Sequence, residues 1–357
     1  MRRFFSLDGA MVLEGKRVLV TGGTGSLGGA VVRRLLGAEL GTPASVTIFS
    51  RDEAKQHDMR LSYLHRRAAT DEVIYRNFQQ LLRFQIGDVR DHGALLRAVR
   101  QADVVIHAAA LKQVPTCEYF PFEAVLTNLY GTQNLVRAIR DGGAPVERVV
   151  GISTDKACKP INVMGMTKAV MERILVEANL GCPATCFSCV RYGNVIASRG
   201  SVVPLFLDQI ANGGPVTVTL EEMTRFLLSL DAAVDTVFAA LRSSRPGETY
   251  VPRVPAARVI DLARVLVAGR DIPIVFTGIR PGEKVHEIMV SEEECHRTVE
   301  RGEYYVIRPM LPELTDDAPF QPALRGEYSS SDVTLDAAGL RALLAPYIGA
   351  GAVEATA

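Results

Sequence analysis

An α/β fold built on a doubly wound parallel sheet is the class this sequence predicts, on three observations. From residue 17 to 190, short apolar runs alternate with amphipathic segments of helix length. A glycine-rich turn joins the first such run to the first such segment. After Tyr192 the rhythm breaks: Gly and Pro become frequent, elements shorten, and arginines stand singly in loops. The first region predicts a nucleotide-binding domain over residues 1–190. The second predicts a smaller mixed α/β domain over 191–345 that covers the cleft at the carboxyl ends of the strands, although some of its segments can return to the first sheet. Residues 346–357 read as a frayed tail.

The elements follow in order. Arg17 to Val20 begins a strand and Leu27 to Leu40 reads as a helix. Val46 to Ser50 and Arg83 to Gly87 are the next strands, the latter followed by a helix that Asp91 opens as N-cap. Val104 to Ala110 is a fourth strand, and a long helix runs from Pro121 to Asp141-Gly142-Gly143. Val149 to Ser153, a helix from Met164 to Asn179, and Cys186 to Val190 complete the alternation. The charged segment from Arg51 to Arg76 reads either as a partner-binding flap or as a solvated face.

Composition narrows the function. The 357 residues are 48% hydrophobic and 22% charged, with 40 acidic and 40 basic side chains, which suits a globular enzyme and argues against nucleic acid as main partner. Met1-Arg2-Arg3-Phe4-Phe5 resembles the start of a signal segment, but no apolar core follows it, and no apolar run is long enough for a bilayer. A cytoplasmic protein is expected. The six cysteines do not suggest a disulfide framework. No metal is expected at Cys182, Cys186 and Cys189, because residues 186 and 189 of one strand point to opposite faces.

The turn T-G-G-T-G-S-L-G (21–28) places Gly22, Gly25 and Gly28 around Thr24, Ser26 and Leu27. Glycines let the backbone approach a pyrophosphate, whose charge then sits at a helix N-terminus. A dinucleotide cofactor is therefore expected. The second strand ends Ser50-Arg51-Asp52. A hydroxyl and a guanidinium suit a ribose 2′-phosphate, so NADP is favoured over NAD; Asp52 keeps NAD open. Asp88 and Val89 after the third strand suit the adenine. Ala108, Ala109 and Ala110 would let the chain pass beneath the nicotinamide ribose, unless they are plain core.

Residues 153–168, S-T-D-K-A-C-K-P-I-N-V-M-G-M-T-K, resemble the active-site segment of an extended short-chain dehydrogenase/reductase. Such enzymes carry Tyr-x-x-x-Lys, one helical turn that puts a phenol and an ammonium on one face. Here Lys168 is present and Met164 holds the tyrosine position. Further segments extend the likeness over residues 17 to about 310: H-A-A-A-L-K-Q-V-P (107–115), R-Y-G-N-V-I-A-S-R-G-S (191–201), M-T-R-F (223–226) and R-P-G-E-K-V-H-E (280–287). Together they are similar to the soluble inverting UDP-N-acetylglucosamine 4,6-dehydratases of bacterial surface-sugar synthesis.

That resemblance implies a Rossmann-like fold and a tightly held NADP that takes hydride from sugar C4 and returns it to C6. Between those steps, loss of H5 and of the C6 hydroxyl expels water. It implies that Thr154 bonds the C4 oxygen and that Lys168 holds the nicotinamide ribose. It gives Asp155, with a raised pKa, the protonation of the C6 leaving group, and Lys156, with a lowered pKa, the removal of H5. A thioether at Met164 cannot take the C4 proton. Lys156 is the first candidate for that task and Cys117 the second. Lys112, Asn194, Arg199, Arg225, Arg280 and Glu283 would bind the nucleotide sugar. Asp155-Lys156 could instead be a cap beside a surface lysine, and each arginine a surface ion-pair member. A homo-oligomer, dimer or hexamer, is implied as well. Retaining dehydratases, 5,6-ene-forming dehydratases and epimerases on other nucleotide sugars remain alternative readings, as does an NADP-binding sensor without catalysis.

Overall fold

The computed structural model describes residues 11–64, 72–143, 145–196, 201–315 and 318–348. The strands are β1 Arg17–Thr21, β2 Ser45–Ser50, β3 Leu82–Ile86, β4 Val104–His107, β5 Arg148–Ile152 and β6 Cys186–Val190, then β7 Asn194–Val195, β8 Val216–Val218, β9 Thr224–Leu228 and β10 Thr249–Pro252. β11 Ala256–Arg258, β12 Ile274–Phe276, β13 Ile288–Val290, β14 Thr298–Arg301, β15 Tyr304–Ile307 and β16 Tyr328–Ser329 follow.

A nine-stranded sheet runs in the order β14-β15-β10-β6-β5-β4-β1-β2-β3. It is parallel from β3 to β10 and antiparallel through β15 and β14. The expected doubly wound parallel sheet is present. Every residue of β4, β5 and β6 is buried, as a sheet covered on both faces requires. One face carries the helix α1 Ser26–Leu36, whose Val31 and Leu35 share a core with Val234 and Phe238. The other face packs Leu95, Leu135 and Leu175 over Leu19 and Val149.

The helices between β2 and β7 are α2 Glu53–Leu64, α3 Glu72–Leu81, α4 His92–Val99, α5 Val114–Tyr119, α6 Pro121–Ala124, α7 Gly131–Gly142 and α8 Val163–Gly181. Three elements differ from expectation, each for a local reason. α1 stops at Leu36 rather than Leu40, because Gly37 closes the last turn onto the Arg33 carbonyl and Ala38 takes a φ of 58°. β4 stops at His107, so Ala108–Ala110 leave the ladder. The helix begun at Pro121 widens into a π-helical stretch, Val125–Tyr130, before α7. That stretch carries Asn128, whose amide accepts from Leu111 N–H at 2.8 Å and donates to the Thr167 hydroxyl at 2.9 Å. A widened turn in a helix often marks a functional site, and this one holds the loop after Ala110 against α8.

The chain after residue 190 serves two layers. α9 Val202–Ala211 and α11 Val259–Val267 pack Phe206, Ile210, Leu262 and Leu266 into a core of their own, whereas α10 Leu230–Ser243, β10, β14 and β15 return to the large sheet. The small sheet β11-β9-β7 brings Asn194, Val195 and Arg225 to the cleft that also holds residues at the carboxyl ends of the parallel strands.

Of the charged segment read as a flap or a solvated face, α2 turns Gln56 and Tyr63 inward, and Tyr63 stacks on Phe78 with ring centroids 5.2 Å apart. Residues 65–71 lie outside the described residues, as does the tail from 349 on. Among the described residues, no helix is long and apolar enough to cross a membrane. All six cysteines are buried and free, and no group of three potential metal ligands is found among the described residues.

Candidate active site

A cleft of about 1340 Å³ opens at the carboxyl ends of β1 and β4, where the strand order reverses. Its first wall is backbone. Gly22 has a φ of 69°, and a Cβ there would stand 2.7 Å from the Ala109 nitrogen. A Cβ at Gly28 would stand 2.5 Å from the Gly22 carbonyl oxygen and 2.6 Å from the Gly23 Cα. The spacing of the motif is therefore fixed by contact between its own turns. α1 starts at Ser26 with Gly25 as N-cap; no side chain caps it and no acid lies in its first turn. Its free N–H donors and positive end face the cleft, which suits a diphosphate. Thr24, Ser26, Leu27, Ala108, Ala109, Ala110 and Val89 all line the same wall.

Beneath it lies a buried histidine that the sequence did not single out. His107 shares hydrogen bonds with Thr21 (2.8 Å) and Thr132 (3.1 Å). Burial, with the Lys168 charge adding, pushes its pKa down to about 3, so it is neutral. The Thr21 hydroxyl also accepts from the Ala109 N–H at 3.3 Å. This chain of contacts fixes the Ala108–Ala110 segment beyond the end of β4.

At the end of β2, the Asp52 carboxylate accepts from the Lys55 backbone N–H at 3.0 Å and pairs with the Lys55 ammonium at 2.6 Å. The Arg51 guanidinium is more than half exposed and 3.8 Å from Asp88. The Ser50 hydroxyl accepts from Gln56 at 3.0 Å. Asp88 receives the Arg90 guanidinium at 2.8 Å and the Arg90 backbone N–H at 2.9 Å.

The floor is made of side chains. β5 ends at Ile152, and Thr154 caps a short turn over Asp155–Ala157. The Asp155 Oδ1 accepts from the Thr154 hydroxyl at 2.9 Å and from Lys156 Nζ at 3.0 Å. Lys156 also pairs with Glu287 Oε1 at 3.1 Å and reaches Asn194 Oδ1 at 3.4 Å. Burial raises the Asp155 pKa, the Lys156 ammonium opposes the rise, and the Glu287 charge adds to it. The direction is the one a proton donor needs. Asp155 is nonetheless covered, its side chain 1% exposed, and it stands behind Thr154 and Lys156 rather than on the cleft wall.

Two expectations need correction. Lys156 was expected to have a lowered pKa. Burial does pull it down, but Asp155 and Glu287 together outweigh burial and raise it, so at rest it is an ammonium. Cys117 was a candidate base beside cations. It is fully buried with Met164 and Ala124, away from the cleft lining. Burial and the neighbouring Glu118 raise its pKa, so it is a packed thiol. Met164 itself lines the cleft at the place of the missing phenol.

Lys168 donates to the Ile152 carbonyl at 2.7 Å, and burial lowers its pKa to about 8. Arg225 is fastened to the Thr224 and Val285 carbonyls at 2.7 and 3.1 Å and faces Glu287 at 3.9 Å. Lys112, Asn194, Arg280 and Glu283 line the cleft; Arg199 lies outside the described residues.

Sequence reasoning missed three cleft residues besides His107. Glu287 is 2% exposed, and its Oε2 has no partner. Ser153 Oγ and Thr127 Oγ1 are likewise buried hydroxyls without partners that line the cleft. Glu287 closes the R-P-G-E-K-V-H-E segment and Ser153 precedes Thr154, so both stood in quoted motifs. Thr127 had no local signal; the π-helical stretch brings it inward.

A doubly wound sheet with a glycine cradle at its switch point, and with Thr154, Met164 and Lys168 beside it, defines an extended short-chain dehydrogenase/reductase. Within that class, the family model described as polysaccharide biosynthesis protein matches residues 18–309, and the chain belongs to that family. It is 40% identical to an inverting UDP-N-acetylglucosamine 4,6-dehydratase of Campylobacter jejuni, covering 88% of this chain and 90% of that one. It is 43% identical to a UDP-glucose 4-epimerase of Rickettsia typhi, covering 82% of each. The solved structure of Pen from Bacillus thuringiensis superposes with a TM-score of 0.83 at 33% identity, over 94% of this chain and 98% of that one.

Proposed function

We propose that this protein is an NADP-dependent nucleotide-sugar 4,6-dehydratase acting on UDP-N-acetylglucosamine, with inversion at C5. The observation that carries the reading is the cluster Thr154, Asp155, Lys156 and Glu287 on the cleft floor, in which burial raises the Asp155 pKa. An epimerase exchanges hydride at C4 and has no use for a second acid–base pair. A dehydratase must also remove H5 and protonate the C6 hydroxyl.

The glycine cradle and the uncapped start of α1 fit a dinucleotide diphosphate. NADP is favoured over NAD because Asp52 is engaged by Lys55, while the Arg51 guanidinium, more than half exposed and only loosely paired with Asp88, can turn toward a 2′-phosphate. The bound dinucleotide supplies reversible hydride exchange with the sugar. Lys168 would hold its nicotinamide ribose, and the Lys168 charge would favour an oxyanion at C4. Thr154 stands on the wall where the reacting carbons would lie. Its hydroxyl, 2.9 Å from Asp155, is the route by which the covered acid reaches a leaving oxygen. Lys156, 20% exposed in its side chain, is the group that reaches H5. Arg225 and Arg280 would take the nucleotide diphosphate, and Arg199 is assigned the same role on its sequence motif alone; Asn194 and Lys112 would take the sugar, and Glu283 the uridine ribose.

Met166 and Val170 are exposed on α8, as is Tyr130 at the start of α7, and this face supports a homo-oligomer formed through paired helices. The test is to incubate the protein with UDP-N-acetylglucosamine in heavy water and follow the sugar by NMR. A 6-deoxy-4-keto product of L-configuration carrying deuterium at C5 is expected. A D-configured product makes the enzyme retaining, a C4 epimer makes it an epimerase, and bound NADP without turnover of any nucleotide sugar makes it a sensor.

A further inference from the structure

Lys156 poses a problem for elimination. It must be neutral to take H5, yet its surroundings keep it charged. The groups facing it are Asp155 on its own turn, Glu287 just before β13 and Arg225 on β9, with Lys284 at longer range beside Asp155 and Glu287. Asp155, whose pKa burial raises, is assigned to the C6 hydroxyl and cannot also take this proton. Glu287 can. Its Oε1 is 3.1 Å from Lys156 Nζ, and its Oε2 is buried on the cleft lining with no partner. Its backbone is fixed on both sides: Glu287 N–H donates to the Ser330 hydroxyl at 2.9 Å, and Ser330 N–H donates to the Glu287 carbonyl at 2.8 Å. Burial pushes the Glu287 pKa up, but at rest Lys156, Arg225 (Nε at 3.9 Å, its Nη1 donating to two carbonyls) and Lys284 outweigh burial and hold it down, so Glu287 begins as the carboxylate that can accept.

Resting on the dehydratase reading, we propose that Glu287 is the positioning residue that converts Lys156 from ammonium to base by taking its proton. A buried ion pair is stable only while water or other dipoles solvate it. A sugar nucleotide seated in the cleft displaces that water. The proton then moves from Lys156 Nζ to Glu287 Oε1, leaving a neutral amine beside a neutral acid. No proton enters or leaves the protein in this step. The amine next takes H5 as its C–H bond breaks, while the Asp155 proton leaves with the C6 hydroxyl as water through Thr154. Asp155 is then a carboxylate and Lys156 again an ammonium. The C4 hydroxyl proton goes to solvent as hydride leaves C4, and solvent returns a proton to C5 on the opposite face. On product release Glu287 passes its proton through Lys156 to Asp155, which restores the resting state. Because the transfer is internal, turnover does not require solvent to deprotonate a lysine.

The test is Glu287→Gln, with Glu287→Asp as the variant that keeps the carboxylate. With Gln, Lys156 must lose its proton to solvent. The kcat on UDP-N-acetylglucosamine should fall on the order of 100-fold at pH 7 and climb about tenfold per pH unit toward the wild-type rate in alkali. The wild-type and Asp profiles should stay flat through neutrality. A second readout needs no substrate: in isotope-labelled protein, the Lys156 side-chain signal, assigned with Lys156→Arg, should titrate at lower pH in the Gln variant. An equal loss at every pH in Glu287→Gln, or a Lys156 titration that does not move, overturns the proposal. Failure of wild-type protein to turn over any nucleotide sugar overturns the dehydratase reading instead, and the titration still decides whether Glu287 governs Lys156.

Discussion

The two halves of the cleft are built on different principles. The cofactor wall is backbone, drawn from residues 21–28 and 108–110, and its shape is set by glycines that touch each other. The floor is side chain, drawn from 154–156, 164–168, 194, 225 and 287, and its properties are set by charges facing each other across low dielectric. A backbone site fails by steric exclusion and changes little with pH. A charge site keeps its shape and fails by changing protonation.

The sharpest test of that contrast is Lys156→Met. Turnover should fall on the order of 10²–10⁴-fold while dinucleotide binding stays near normal, as measured by steady-state kinetics and calorimetric titration. Turnover close to wild type would remove Lys156 from the chemistry. Gly28→Val should show the opposite pattern, because the new side chain meets the backbone of residues 22 and 23. Dinucleotide affinity should drop at least about tenfold, on the roughly 1–3 kcal/mol scale of overpacking, with no change in the shape of the pH profile.

Arg51→Ala sits at the edge of the wall. It should weaken NADP by about tenfold and NAD much less, consistent with loss of one charge-assisted contact of roughly 1.5–3 kcal/mol. Equal loss for both nucleotides would assign Arg51 no part in the choice. Lys168 is where the two principles meet, a charge that serves the wall. Burial lowers its pKa to about 8, so its ammonium is full below that pH and lost as pH rises through it. Dinucleotide affinity should therefore decline above about pH 8, and Lys168→Met should bind more weakly but without that decline. The smallest effect is expected at Cys117, which belongs to neither half. Cys117→Ala should lower stability by roughly 1 kcal/mol through lost packing and leave turnover within about twofold.

The parallel sheet, the glycine cradle and most cradle residues were legible because their signals are local. A strand followed by a helix and a fixed glycine spacing fall within a dozen residues, and backbone geometry follows from the residue types alone. The pairing of Asp155 with Lys156 was legible for the same reason. The charge on Lys156 was not, since it depends on Glu287, which lies more than a hundred positions away in the chain and reaches the floor through the strand that follows it. Cys117 lies near the substrate loop in sequence, yet the helices around it close over its thiol. The sequence by itself determined which groups could move a proton. Only the tertiary structure decided which of them hold one, because a pKa is set by burial and by facing charges, and both are properties of neighbours brought together by folding.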